Sequence, residues 1–450
     1  MTRGNEAGAV ALHPAERAGL AAKSVDLRPA GDAGPDFVPD HVALDEPAVH
    51  PAVGHRVRAR ADHAHPPLQQ VDELRQLVEG VAAPTKQHRA ARAQLHPDRE
   101  RVMELDVLRG LAAVAVMLYH YTVRFTQLYP NFPPADARLP CGFFGVEFFF
   151  CISGFVIFMT LERTRRPMDF VVSRVARLWP AYLAAMTVTF CAARLVGLPG
   201  REVSELHALV NVTMLGELLH VPLVDPAYWS LQVELIFYCW MLLAFTLGVL
   251  PRARLLLSLS LVPPIVYAAA RALFHREPSY LAGVLLMVEH VPFFAIGVAA
   301  YRIRKAGSTA HIRQSYGELL IMAAAIVVTA VCLSPAKGVV AAFSAAVFYA
   351  VATGRLRWIA RGPLVLLGTI SYTLYLIHQN VGYIVIRTAA KLGIGTNAGI
   401  VLAIGLAIAL AAAITFTIER PARNWIRARY RAMRSAQAVR TVGPTASAAR

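Results

Sequence analysis

The sequence predicts an all-α, polytopic membrane protein of about ten transmembrane helices with both termini cytoplasmic, preceded by a disordered N-terminal extension. Three observations predict it. Apolar residues make up 56% of the 450-residue chain and charged residues only 16%, far from the composition of a soluble domain. From Met103 onward the chain is a succession of apolar runs, most of them near the ~20 residues a helix needs to cross hydrocarbon. Lys and Arg gather between alternate runs, as they do in the inner loops of membrane proteins.

The formal charge of +16 would by itself suggest a nucleic-acid partner. Its distribution excludes one. Residues 1–102 hold 13 basic and 14 acidic residues, so the excess lies wholly in the apolar part. That first segment, rich in Ala, Pro, Arg, Asp and His and without an apolar run, has the composition of a disordered tail. The abrupt change at Met103 raises the further expectation that translation starts there. Five scattered cysteines and dispersed histidines have no metal-site or disulfide spacing, so no metal is expected.

The spans are expected at about 105–123, 142–161, 178–197, 229–250, 254–274, 281–301, 317–334, 338–353, 363–386 and 398–418, with residues 103–424 as the membrane domain and 425–450 as a basic cytoplasmic tail. Pro263-Pro264 should kink the fifth. The loop 198–228 has an apolar middle that is expected to dip back towards the bilayer. With the first span entering from the cytoplasm, inner loops and tail hold 22 basic residues against 7 in the outer loops, which sets the orientation; the plasma (inner) membrane is the expected location. Arginines of the tail are expected to meet anionic membrane lipids.

Five polar groups recur within these spans, where charge is costly and usually functional. Arg109 and His120 of the first span lie on one face, eleven residues and so about 16 Å apart. Glu147 stands alone among aromatics in the second, with Ser153 six residues on; an arginine or His120 is its expected partner. Arg174 and Arg177 form an i, i+3 fork suited to phosphate, beside Trp179 and Tyr182, which have the rings to stack on an adenine. Trp229, Ser230 and Glu234 open the fourth span. Ser371, Tyr375 and His378 form a stripe in the ninth. Structural readings compete: inner-loop charge for the arginines, an interfacial belt for Trp229, helix-helix hydrogen bonding for the serine and tyrosine. Together the five groups describe a cavity with phosphate-binding arginines at the inner end and a histidine base with carboxylates further out. Such a layout can pass an activated group from a cytosolic donor to an outer acceptor.

The segments LDVLRGLAAVAVMLYHY, GVEFFFCISGFVI, SRVARLWPAY, WSLQVELIFY, SYTLYLIH and IERP, in this order from Met103 to about Asn424, resemble the successive motifs of the integral-membrane acyltransferase 3 family. The resemblance implies a ten-helix enzyme that moves acyl groups, commonly acetyl, from acyl-coenzyme A to hydroxyls of carbohydrates or small molecules. The coenzyme would be a donor substrate, with no permanently bound cofactor. The resemblance carries over residue by residue to Arg109 and His120, to the Arg174/Arg177 pair, and to the acidic position at Glu147, which is often Asp in the family. With these matches and the pattern of the residues together, His120 is expected as general base assisted by Glu147; Arg109, Arg174, Arg177, Trp179 and Tyr182 are expected on the donor; and Ser153, Trp229, Ser230, Glu234, Tyr375 and His378 are expected along the channel or acceptor side. With only a short tail after the last span, the chain resembles the members that lack an added soluble domain. The competing reading is a transporter or flippase of an acylated or lipid-linked sugar; it would need neither a base nor a coenzyme A phosphate site.

Overall fold

The computed structural model describes residues 102–275, 278–307 and 312–441; the expected extension and the end of the tail lie outside them. Among the described residues there is no strand. Fifteen α-helices follow one another: α1 (Met103–Tyr119), α2 (Phe125–Leu128), α3 (Gly145–Glu162), α4 (Pro167–Val196), α5 (Glu205–Asn211), α6 (Trp229–Thr246), α7 (Ala253–Ser260), α8 (Val262–Phe274), α9 (Tyr280–Leu285), α10 (Val291–Ala306), α11 (Ile312–Val328), α12 (Pro335–Ala352), α13 (Gly362–Lys391), α14 (Thr396–Ile414) and α15 (Arg420–Thr441). π-Helical turns at His120–Arg124, Thr329–Leu333 and Thr415–Glu419 join α1 to α2, extend α11, and join α14 to α15.

Among the described residues, seven helical stretches are long and apolar enough to cross a membrane, by length and composition: Pro140–Glu162, Pro167–Val196, Pro226–Thr246, Leu250–Phe274, Ser315–Leu333, Pro335–Ala352 and Thr396–Gln437. The chain is a multi-pass membrane protein. α1, α10 and α13 are not among the seven. α10 has 16 residues. α1 carries Glu104, Asp106 and Arg109 in its first two turns, and α13 carries Thr373, His378, Gln379 and Asn380. α13 is nevertheless buried without interruption from Ile370 to Ile384, packed on α1, α4 and α14. The helices that bear most of the polar residues are thus shielded by more apolar neighbours, the arrangement that intramembrane polar groups require.

Several boundaries differ from the sequence expectation, each for a local reason. α4 begins at Pro167 rather than near 178: Pro at the first helical position and Asp169 in the first turn start it early. The basic segment is helical and is clasped by α15, where Tyr430 and Arg434 each donate to Asp169 Oδ1 at 2.8 Å and Arg427 donates to Ser173 Oγ at 3.1 Å. The kink expected at Pro263-Pro264 is a break at Leu261, between α7 and α8. The continuous span expected over 281–301 is divided. Met287 takes a left-handed φ of 49° and Pro292, lacking an N–H, sits in the first turn of a new helix. The loop 198–228 does fold back: Trp179 Nε1 donates to the Val212 carbonyl at 3.2 Å and Tyr182 Oη to the Asn211 carbonyl at 2.6 Å, midway along α4.

Two glycines set the helix contacts that matter for the site. A Cβ at Gly368 of α13 would overlap the Asp106 carbonyl of α1, and a Cβ at Gly145 of α3 would press on the Ala112 carbonyl of α1. Gly368→Ala is expected to drive α1 and α13 apart at their shared end. Overpacking of this kind costs about 1–3 kcal/mol, so the melting temperature of the detergent-solubilised protein should fall and acyl transfer with it. An unchanged melting temperature would show that the two backbones are not in contact.

Candidate active site

The π-turn at His120–Arg124 starts at the histidine predicted from sequence. An inserted residue of this kind re-aims side chains and recurs at functional sites. His120 is 6% exposed and lies against His378 of α13, with ring centroids 4.9 Å apart. His120 Nδ1 is 2.8 Å from the Val116 carbonyl and 3.2 Å from His378 Nε2. His378 Nδ1 is in turn 2.8 Å from the Tyr375 carbonyl. A carbonyl only accepts, so each Nδ1 carries the proton. His378 Nε2 then offers a lone pair to the His120 Nδ1–H, and His120 Nε2 is left with a lone pair and no hydrogen bond among the described residues. Around this pair, Tyr121 Oη donates to the His378 carbonyl at 2.7 Å, and the hydroxyls of Ser230 and Tyr375 are 2.7 Å apart. Asp225, 0% exposed, accepts from the backbone N–H groups of Ala227 and Asn380 at 3.0 and 2.9 Å. Burial pushes its carboxyl up to about 6, against the pull of those N–H groups and of Arg201.

A second cluster gathers the predicted arginines. Arg109 pairs with Asp106 at 3.3 Å and lies in the field of Arg177 and Glu234. Arg177 is clasped by Glu419, which also accepts from Arg423 at 3.3 Å and from Thr373 at 3.2 Å. The π-turn Thr415–Glu419 presents that carboxylate, and its side chain is 1% exposed. Arg174 lies over the rings of Phe170 and Tyr238, 5.7 and 5.9 Å from their centroids, and donates to Ser173 Oγ. It forms no ion pair among the described residues. Glu234 accepts from Ser153 and, at 2.6 Å, from Tyr238 Oη.

The sequence model of the acyltransferase 3 family, described as an acyltransferase domain, matches residues 103–417. The chain belongs to this family. No curated protein and no solved structure matches it.

The acyltransferase domain thus gathers most of the residues singled out in the sequence into two neighbouring clusters, and the structure corrects some of the readings made of them. Gly145 fixes the face that α3 turns to α1, and Glu147, two residues on, is about 200° around the helix. The opposite charge that acts on it is Lys337, at the start of α12, which binds Glu289 at 2.8 Å. No hydrogen bond or ion pair joins Glu147 to His120; His378 takes that place. Tyr182 is not free to stack on an adenine, and the half-buried Trp179 has its indole N–H committed to the Val212 carbonyl. Their polar atoms hold the folded-back loop, and Tyr182 is 1% exposed, edge-on to Tyr228. Trp229 is no belt residue: it is buried beside Phe150 and His290. Glu234, expected along the channel or acceptor side with Ser230, lies one turn deeper, bonded to Ser153 in the arginine cluster. Four residues of the acyltransferase went unnoticed: Asp225, Asn380, Gln379 and Arg201, whose guanidinium donates to Asn380 Oδ1 at 3.1 Å. The run His378-Gln379-Asn380 inside an apolar span was the available signal. An apolar cavity of about 340 Å³ between α6, α7 and α10 shares no residue with either cluster.

Proposed function

We propose that this acyltransferase moves an acyl group, acetyl in the simplest case, from cytosolic acyl-coenzyme A to a hydroxyl of a carbohydrate or glycan-like acceptor. It would act in the plasma (inner) membrane as a ten-span protein with both termini cytoplasmic. α1, α10 and α13, shielded by neighbours, supply the spans beyond the seven that composition identifies. The observation that carries the chemistry is the tautomer of His120: its Nδ1–H is held by the Val116 carbonyl and His378, which leaves Nε2 as a base. In the reaction the acceptor hydroxyl gives its proton to His120 Nε2 while its oxygen attacks the thioester carbonyl carbon. The carbon–sulfur bond breaks, and the leaving thiolate takes the proton back from Nε2, giving ester and free coenzyme A. His378 stabilises the transient imidazolium through Nδ1–H, the part a carboxylate plays in a triad.

The phosphates of the donor bind at Arg174 and Arg109, and the pantetheine arm runs past Ser153 towards His120, within the ~16 Å that separates Arg109 from His120 along the helix. Purified protein incubated with labelled acetyl-coenzyme A and candidate glycans tests the whole reading. Among the arginines, Arg174 is the sharper probe because it has no carboxylate partner to strand. A hydrogen bond to a charged group is worth about 1.5–3 kcal/mol, so Arg174→Ala is expected to raise the donor KM about tenfold or more. Lysine should restore only part, having lost the planar fork. An unchanged donor KM would remove Arg174 from phosphate binding. Arg177→Ala is a poorer test, since it leaves the buried Glu419 carboxylate with fewer partners.

A further inference from the structure

A row of aromatic rings leads away from His120, and two arginines lie along it. The Tyr383 ring centroid is 6.5 Å from that of His120, and Tyr129 lies 6.2 Å beyond Tyr383. Arg201 covers the Tyr383 ring at 5.2 Å, and Arg387 covers the Tyr129 ring at 6.0 Å. Neither guanidinium has a carboxylate within ion-pair distance among the described residues. Each is fixed instead by a neutral acceptor: Asn380 Oδ1 at 3.1 Å for Arg201 and the Gly197 carbonyl at 3.2 Å for Arg387. The nearby acids are engaged elsewhere. Asp225 is bound by two backbone N–H groups, and Glu202 accepts from the Leu198 N–H at 3.2 Å.

Two further observations point to a ligand. The Tyr129 hydroxyl, between the two arginines, is buried without a hydrogen-bond partner. Gln379 is 1% exposed, directly follows His378 and shares a helix face with Tyr383 four residues on; both ends of its amide lack a partner. Buried polar atoms left unpaired are costly and call for an explanation. Arginines held open by neutral acceptors keep most of their donors for an incoming anion, and a guanidinium matches carboxylate and phosphate oxygens two at a time. The half-buried Tyr129 ring suits a sugar, whereas Tyr383, 0% exposed, forms the floor beneath Arg201.

We infer that the acceptor is an acidic sugar, whose carboxylate or phosphate is held by Arg201 and Arg387 beside the half-buried Tyr129, with a hydroxyl directed towards His120. This inference names the acceptor class for the acyl transfer proposed above and rests on that reading. Its structural rival is that the two arginines only pin the 197–203 segment to α13. That role would affect charged and neutral acceptors alike.

The test uses the full chain in detergent with glucuronate, glucose 6-phosphate and glucose, measuring binding by equilibrium dialysis and transfer from labelled acetyl-coenzyme A separately. Tighter binding of glucuronate or of the phosphate ester than of glucose, weakened by salt, supports the inference, and the two arms say which anion is recognised. The preference should fall about tenfold in Arg201→Gln and in Arg387→Gln, and be partly kept in Arg201→Lys. Equal binding of all three sugars overturns it, as does an equal loss for glucose and the acidic sugars in the variants. Anion-selective binding without transfer to any acceptor would instead refute acyl transfer and leave the anion site standing.

Discussion

Replacing His120 by alanine is expected to lower acyl transfer by about 10²–10⁴-fold, the usual loss when a general base is removed. At about 1.4 kcal/mol for each factor of ten, that is roughly 3–5 kcal/mol of transition-state stabilisation resting on one ring nitrogen. The geometry makes the forecast specific. Nδ1 is committed to the Val116 carbonyl and His378, so only Nε2 can take a proton, and Asn or Gln at 120 should not rescue. Donor binding should persist, because Arg174 is on α4 and Arg109 lies three turns from His120 along α1. His378 is a positioning residue and should behave differently. His378→Ala removes one acceptor but leaves the Val116 carbonyl in place; the bond lost is to the transient imidazolium, so the loss should be near the ~1.5–3 kcal/mol of a hydrogen bond to a charged group, or about ten- to a hundredfold. His378→Gln, which keeps an acceptor, should lose less than His378→Ala. Such a rescue would distinguish positioning from simple packing. Near-normal turnover in His120→Ala would take His120 out of the mechanism.

The polar residues were legible in the sequence because hydrocarbon makes each of them conspicuous. Arg109, His120, Arg174, Arg177, Ser153 and His378 could be picked out from composition alone, and they do converge. Partnerships were not legible. Whether Glu147 faces His120 depends on which side of α3 docks on α1, and that is decided by Gly145 meeting Ala112, a contact between segments more than thirty residues apart. The expected carboxylate beside His120 is therefore a histidine 258 positions along the chain. The π-turns at His120 and Glu419 carry no composition signal either; each adds one residue to a turn of an otherwise regular pattern. The breaks at Leu261 and Met287 illustrate the two cases side by side. Pro263-Pro264 announced the first, whereas Pro292 alone did not announce the turn upstream of it. Tyr182 shows the opposite error: a ring next to an arginine pair looks available in a sequence, but it is buried and its hydroxyl is needed to hold a folded-back loop.

The largest effect apart from His120 is expected from closing the path between the two clusters. On α3, Phe149 touches Tyr375 at a ring distance of 5.3 Å, on the histidine side. Ser153, one turn along the same face and about 6 Å away, bonds Glu234 on the arginine side. A donor anchored at Arg174 and Arg109 must extend its pantetheine arm past this turn to bring the thioester to His120 Nε2. Ser153→Trp fills that passage and should abolish transfer, while a phosphate-bearing probe such as adenosine 3′,5′-bisphosphate still binds at the arginines. Ser153→Ala removes only the hydrogen bond to Glu234 and should retain most activity, which separates blockage from loss of that bond. The same passage fixes the sidedness of the reaction. In sealed vesicles of known orientation, acetyl-coenzyme A confined to the side of the arginines should acylate a membrane-impermeant acceptor supplied only on the side of His120. Wild-type protein should transfer across, and Ser153→Trp should not. Transfer that requires donor and acceptor on one side would defeat the through-bundle route, and a Ser153→Trp variant that still acylates would show that the thioester reaches His120 by another way.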